Sequence, residues 1–161
     1  LVVAVGGGTS IDMAKLIRAL AGTVDPEAVI RGKSPIVASR SRFIAIPTTA
    51  GTGSEATQFA VVYIDGEKFS LDHASLRPAI AIVDPRLMNT LPAAVTAATG
   101  LDAFCQAIES IWAVGATDES VRYAQTVPTA CHGKRCLARH IWRAKRSISV
   151  GRQLLMRCPI R

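Results

Sequence analysis

Acidic residues are missing from the last quarter of this 161-residue chain: residues 121–161 hold ten Lys or Arg and no Asp or Glu. Residues 1–120 hold nine cations against twelve acids, so the net charge of +7 belongs to the tail. The first 120 residues therefore carry no basic footprint for a polyanion. Aromatic residues make up only 5% of the chain, too few for a base-stacking surface. Cys105 is the single cysteine of the first 120 residues, which excludes a disulfide framework there and fits a reduced, cytoplasmic protein. No apolar run approaches the roughly 20 residues that span a bilayer. The opening LVVAVGGGTS has no initiator Met, no basic n-region and no cleavage-site pattern, and reads as a strand already in progress, so the N-terminus looks cut.

What is present is 49% hydrophobic and 19% charged, the composition of a globular chain too short for a second full domain. Residues 1–5 are β-branched and continuous, as in a buried parallel strand, and Gly6, Gly7 and Gly8 turn that strand into a helix. Thr9 or Ser10 can cap the helix, Asp12 complements its positive end, and Met13, Ala14, Ile17, Leu20 and Ala21 recur at helical spacing. Asp25-Pro26-Glu27 starts a short helical turn. Residues 43–46 form a second buried strand ended by Pro47, residues 59–64 a third that turns at Asp65-Gly66, and residues 79–83 a fourth.

From Pro92 the pattern is helical. Leu101, Phe104, Cys105, Ile108, Ile111 and Trp112 make one apolar stripe, with Asp102, Gln106 and Glu109 as a polar stripe beside it. A further helix begins near Thr117-Asp118-Glu119. Strands alternating with helices, then helices alone, predict an α/β fold: part of a Rossmann-like nucleotide-binding layer followed by the start of an all-α domain.

Two loops carry the chemistry. Glycines at Gly6–Gly8 let the backbone approach a pyrophosphate, and the helix behind them offers unpaired N–H groups and a positive dipole end. The loop of residues 47–55 places four hydroxyls and two glycines after another strand, where both loops can converge on one ligand. Read alone, the first is also consistent with a tight turn and the second with a Ser/Thr-rich surface connection.

These residues resemble the iron-dependent (group III) alcohol dehydrogenases, a family that shares its fold with glycerol dehydrogenase and dehydroquinate synthase. The matching motifs are GGGTSIDMAK at 6–15, PTTAGTGSE at 47–55, IVDP at 82–85 and TAATGLDAFCQAIES at 96–110. The resemblance implies a C-terminal part of a dinucleotide-binding domain over residues 1–90, the start of a helical metal-binding domain over 91–124, and a homo-oligomer in the intact family. It implies NAD or NADP held by Gly6, Gly7, Gly8, Thr9, Asp12, Thr48, Thr49, Thr52 and Thr57. It also implies hydride transfer between the nicotinamide and a small alcohol or aldehyde, assisted by Fe²⁺ or Zn²⁺, with no membrane or nucleic-acid partner. Asp102 matches the family's metal-binding Asp, and Gln106 stands one turn later where a His belongs; spacing of i and i+4 puts both on one helix face, but an amide is a poor ligand for these metals. The CQAIES segment is similar to a branch that reduces phosphonoacetaldehyde, for whose dianion Lys68 and Arg77 are candidate partners. The residue that separates NAD from NADP is expected before Leu1, and the resemblance assigns no catalytic residue.

After about Ala124 the resemblance stops. The tail has clustered cations, Pro128 and Pro159, and no sustained helical stripe. Permitted codons for residues 141–161, read from the third base, spell LAGKAINISRTTAPHALSYP, which resembles the family's helix and turn around a metal-binding His. We therefore expect a frameshift between about Ala124 and His140 and an out-of-frame tail over 125–161, leaving the chain an incomplete and inactive copy. The alternative is a non-catalytic dinucleotide or nucleic-acid binder whose tail holds zinc through Cys131, Cys136, His140 and Cys158; its spacing matches no known finger.

Overall fold

The structure is a computed structural model that describes residues 1–37 and 39–130, with side chains through residue 125. The tail residues Cys131, His132, Cys136, His140 and Cys158 lie outside the described residues. The chain divides into two compact units, Leu1–Thr48 with Ser54–Asp84, and Thr49–Gly53 with the residues from Pro85 onward.

In the first unit, β1 (Val2–Gly6), β2 (Phe43–Pro47) and β5 (Ile80–Ala81) form a parallel sheet in the order β1-β2-β5. Helix α1 (Gly8–Leu20) joins β1 toward β2, and the short α2 (Pro26–Ile30) is capped by Asp25, which accepts from the Ala28 amide at 2.9 Å. The expected third strand is β3 (Phe59–Ile64). It continues through Asp65 and Gly66, both at positive φ (51° and 82°), into β4 (Glu67–Asp72). The second arm of that two-residue hairpin has no strand signal of its own, because EKFSLD is too polar to read as one; two successive positive-φ residues are the hairpin geometry an Asp-Gly pair favours.

The register sets Val3 beside Ile44 and Ile80, and Val5 beside Ile46, on one face of the sheet; Ala4, Ala45 and Ala81 point the other way. Ala4, Phe43 and Ala45 bury against Ile11 of α1. Leu16 and Ala19 join Val29, Ala60, Leu71 and Leu76 in a second cluster that ties α1 to the hairpin and α2. Val3, Val5, Ile80 and Ile82 remain 46–59% exposed, so the strand expected to be buried throughout is buried only at Ala4.

Helix α1 corrects three expectations. Its N-cap is Gly7, with no side-chain cap, so neither Thr9 nor Ser10 serves. Asp12 lies beyond the first turn, which holds no acid. The face that buries is Ile11, Lys15, Leu16, Arg18 and Ala19, while Met13 and Ile17 are exposed. The helix packs on strands that present alanines and Phe43, and Arg18 lies over the Phe43 ring and donates to the Ser41 carbonyl at 2.8 Å.

In the second unit, α3 (Ala93–Trp112) follows Pro92 and α4 (Asp118–Ala130) follows Thr117. Thr117 and Ser120 cap each other reciprocally: the Ser120 amide donates to Thr117 Oγ1 at 3.1 Å and the Thr117 amide to Ser120 Oγ at 3.0 Å. The buried line of α3 is Ala103, Ala107 and Ser110, with Ala103 and Ala107 packed on Ala124 and Tyr123 of α4. Leu101, Cys105 and Trp112 are exposed, contrary to the expected stripe. Small residues win here because they let two helices approach closely. Among the described residues no helix is long and apolar enough to cross a membrane.

Candidate functional site

Gly6 ends β1 and Gly7 caps α1, so the chain turns from strand to helix over the glycine run expected to do so. The turn is tight: a Cβ on Gly6 would lie 2.6 Å from Ser10 Cβ, which only glycine avoids. The first intrahelical bond is Ile11 N–H to Gly7 C=O at 3.1 Å. This 13-residue helix has no side-chain cap at Gly7 and no acid in its own first turn, so its positive end is offered by backbone N–H groups. Thr9 is exposed on that turn.

Both ends of the second loop reach this segment. The Thr48 amide donates to the Gly6 carbonyl at 2.9 Å, and Ser54 Oγ donates to Asp12 Oδ1 at 2.8 Å. Asp12 is the hub of a larger network: its Oδ2 accepts from the Val61 amide of β3 at 3.1 Å, and its Oδ1 also accepts from Lys15 Nζ at 3.3 Å. Lys15 Nζ further donates to Thr57 Oγ1 at 3.3 Å and to the Phe59 carbonyl. Lys15 is fully buried, at 0% exposure, and burial pulls its ammonium below the ordinary lysine range against the opposing pull of Asp12 and Glu55.

Of the residues assigned to the cofactor, Gly6, Gly7, Gly8, Thr9, Asp12, Thr48 and Thr57 share the first unit, where bonds tie Gly6 to Thr48 and, through Lys15, Asp12 to Thr57. Thr49 and Thr52 belong with the second unit. There the loop is seated by Gly51, whose φ is +114° and whose missing Cβ would lie 2.2 Å from the Thr99 carbonyl of α3. Lys15 and Ser54 lie inside the two motifs, but the sequence reading gives neither a role in this network. The available signal is an Asp and a Lys three apart on α1, a spacing that brings two side chains together.

The two expected metal ligands are on α3. Gln106 Nε2 donates to Asp102 Oδ1 at 2.7 Å, so they face the same way, and each is the other's partner. One carboxylate and one amide are not a donor set for Fe²⁺ or Zn²⁺. Among the described residues no group of three His, Cys, Asp or Glu gathers around a point. The described residues therefore do not fit a metal.

Lys68 and Arg77 stand toward opposite ends of the hairpin. Lys68 pairs with Tyr63 next to the hairpin turn, whereas Arg77 donates to Gln58 at 3.2 Å, beyond the opposite end. Four residues of extended strand, roughly 13 Å, separate the two ends.

A family model described as iron-containing alcohol dehydrogenase matches residues 1–85, more than half of the chain. A 4-hydroxybutyrate dehydrogenase of Cupriavidus necator is 45% identical over 116 residues, 69% of this chain and 30% of its own length. A phosphonoacetaldehyde reductase of Streptomyces viridochromogenes is 37% identical over 139 residues, 79% of this chain and 34% of its own. Among solved structures, a sulfoacetaldehyde reductase from Bifidobacterium kashiwanohense in complex with NAD+ superposes with a TM-score of 0.80 at 29% identity, covering 90% of this chain and 43% of that one. The chain spans about a third of the length of the curated relatives it matches.

Proposed function

Because the chain belongs to the iron-containing alcohol dehydrogenase family, we propose that it holds the dinucleotide of an NAD- or NADP-dependent alcohol dehydrogenase or aldehyde reductase. The observation that carries this reading is the Thr48 amide bound to the Gly6 carbonyl, which brings the start of the second loop alongside the uncapped N-terminus of α1. In this reading the amides of Gly8 and Thr9 receive the diphosphate, and the Gly7 backbone lets it approach. Thr48 and Thr57, in the same unit, lend hydroxyls to the rest of the cofactor. The nicotinamide, when bound, supplies the hydride that turns a carbonyl into an alcohol; the residues named here only bind and orient it.

In the intact family a divalent metal joins the reaction. Asp102 and Gln106 alone do not make its site, so the reading for this chain stops at the cofactor. For the substrate we infer a small aldehyde, phosphonoacetaldehyde first, on the strength of the 37% identical relative that carries that name. For the 161-residue chain by itself we expect cofactor binding without turnover, since it spans about a third of its relatives' length.

Titration of NADH fluorescence with the purified chain tests the binding, with ADP as competitor. Micromolar binding displaced by ADP supports a diphosphate grip; absence of binding, or binding indifferent to ADP, overturns it. Oxidation of NADH by this chain with any aldehyde would overturn the expected lack of turnover.

A further inference from the structure

We propose that Lys15 is a positioning residue that acts through Asp12: it orients the Asp12 carboxylate so that one oxygen holds Ser54 and the other holds the Val61 amide. The pair thereby fixes residues 54–61 against α1. The inference takes from the dinucleotide reading only what the fixed segment is for; the cross-tie itself stands on geometry.

A buried ammonium costs several kcal/mol unless it is paired and hydrogen-bonded. Lys15 offsets part of that cost, matching three donors to three acceptors: Asp12 Oδ1, Thr57 Oγ1 and the Phe59 carbonyl. A methionine would fill the same space without desolvating a charge, so filling space does not explain an ammonium here. What the charge supplies is direction. Asp12 receives three donors from three parts of the unit, Lys15 on its own helix, Ser54 at the end of the loop and Val61 inside β3. Lys15 in turn grips Thr57 and Phe59, the residues between those two. Two side chains three apart on α1 therefore hold four points of one eight-residue segment. Glu55, the other acid whose field reaches Lys15, is buried in the same segment.

The test is a double-mutant cycle on the full chain with K15M and D12N, read by hydrogen exchange of the Val61 amide against that of Ile64 at the far end of β3. If Lys15 acts through Asp12, each single variant speeds Val61 exchange by about tenfold or more, Ile64 changes little, and the double variant is no faster than D12N. Additive effects, or equal acceleration at Val61 and Ile64, would mean that Lys15 only packs and would overturn the proposal. Should K15M fail to fold, T57A removes one acceptor at a half-buried position; acceleration confined to residues 57–61 supports the cross-tie and unchanged exchange overturns it. NADH titration of the same variants separates the two readings: a wild-type chain that binds no NADH sinks the cofactor assignment while the exchange cycle still decides the role of Lys15.

Discussion

Gly6 accepts a hydrogen bond from the Thr48 amide at 2.9 Å, so β1 and β2 end side by side with their two loops leaving from the same edge of the sheet. In a parallel sheet that edge, at the carboxyl ends of the strands, is where ligands are received. The contact gives the glycine run a measurable role.

Gly6→Ala is expected to destabilise the first unit by about 1–3 kcal/mol, because the new methyl would sit 2.6 Å from Ser10 Cβ. Part of the loss is a clash with a side chain, so adding Ser10→Gly should recover that part, while the backbone strain of an alanine at a φ of +158° remains. Denaturant unfolding of the single and double variants checks this, and NADH titration should follow the same order.

Gly51→Ala faces backbone instead. Its methyl would lie 2.2 Å from the Thr99 carbonyl at a φ of +114°, and no side chain can move aside. A loss of about 1–3 kcal/mol or more is expected, seen as earlier unfolding of α3 in hydrogen exchange.

Lys15 predicts a pH dependence. Burial lowers its pKa in the folded chain, so between that lowered value and the unfolded value of about 10.4 the unfolded chain binds more protons. The penalty for burying the ammonium is fully present below the folded pKa and is relieved as pH rises through this window. Wild-type stability should therefore rise relative to Lys15→Met between neutral and alkaline pH. Parallel denaturation midpoints for the two proteins would refute the assignment.

Zinc or ferrous-ion affinity of the chain should survive Asp102→Asn, because Asp102 and Gln106 satisfy each other at 2.7 Å and supply one strong donor between them. Isothermal titration of both proteins with the metal alone decides it; a drop of tenfold or more in Asp102→Asn would restore these two residues to a metal site.

Strands and turns are legible in the sequence where local chemistry decides them. Phe59–Ile64 is β-branched and bounded by turn residues, and it forms over the expected span. Which face of a helix buries is not legible, because that depends on the partner. Met13 and Ile17 look like core, yet α1 turns Lys15 and Ala19 inward toward strands and a hairpin whose second arm carries no strand signal. On α3 the larger residues Leu101 and Trp112 stay outside while Ala103 and Ala107 take the contact with α4. The glycine turn and Asp12 stand out because the family resemblance marks them. Lys15 ends the first matching motif, yet its role is not legible there, since a lysine on a helix ordinarily belongs to solvent and only the segment 54–61 folding over it makes it a core residue.

The bare side of the parallel sheet has a practical cost. Val3, Val5, Ile80 and Ile82 present aliphatic surface to water on a sheet type that is normally sheltered on both sides. Protein concentration, more than temperature, should govern how long the purified chain stays monodisperse, with dye-binding fluorescence and light scattering climbing together as it is concentrated.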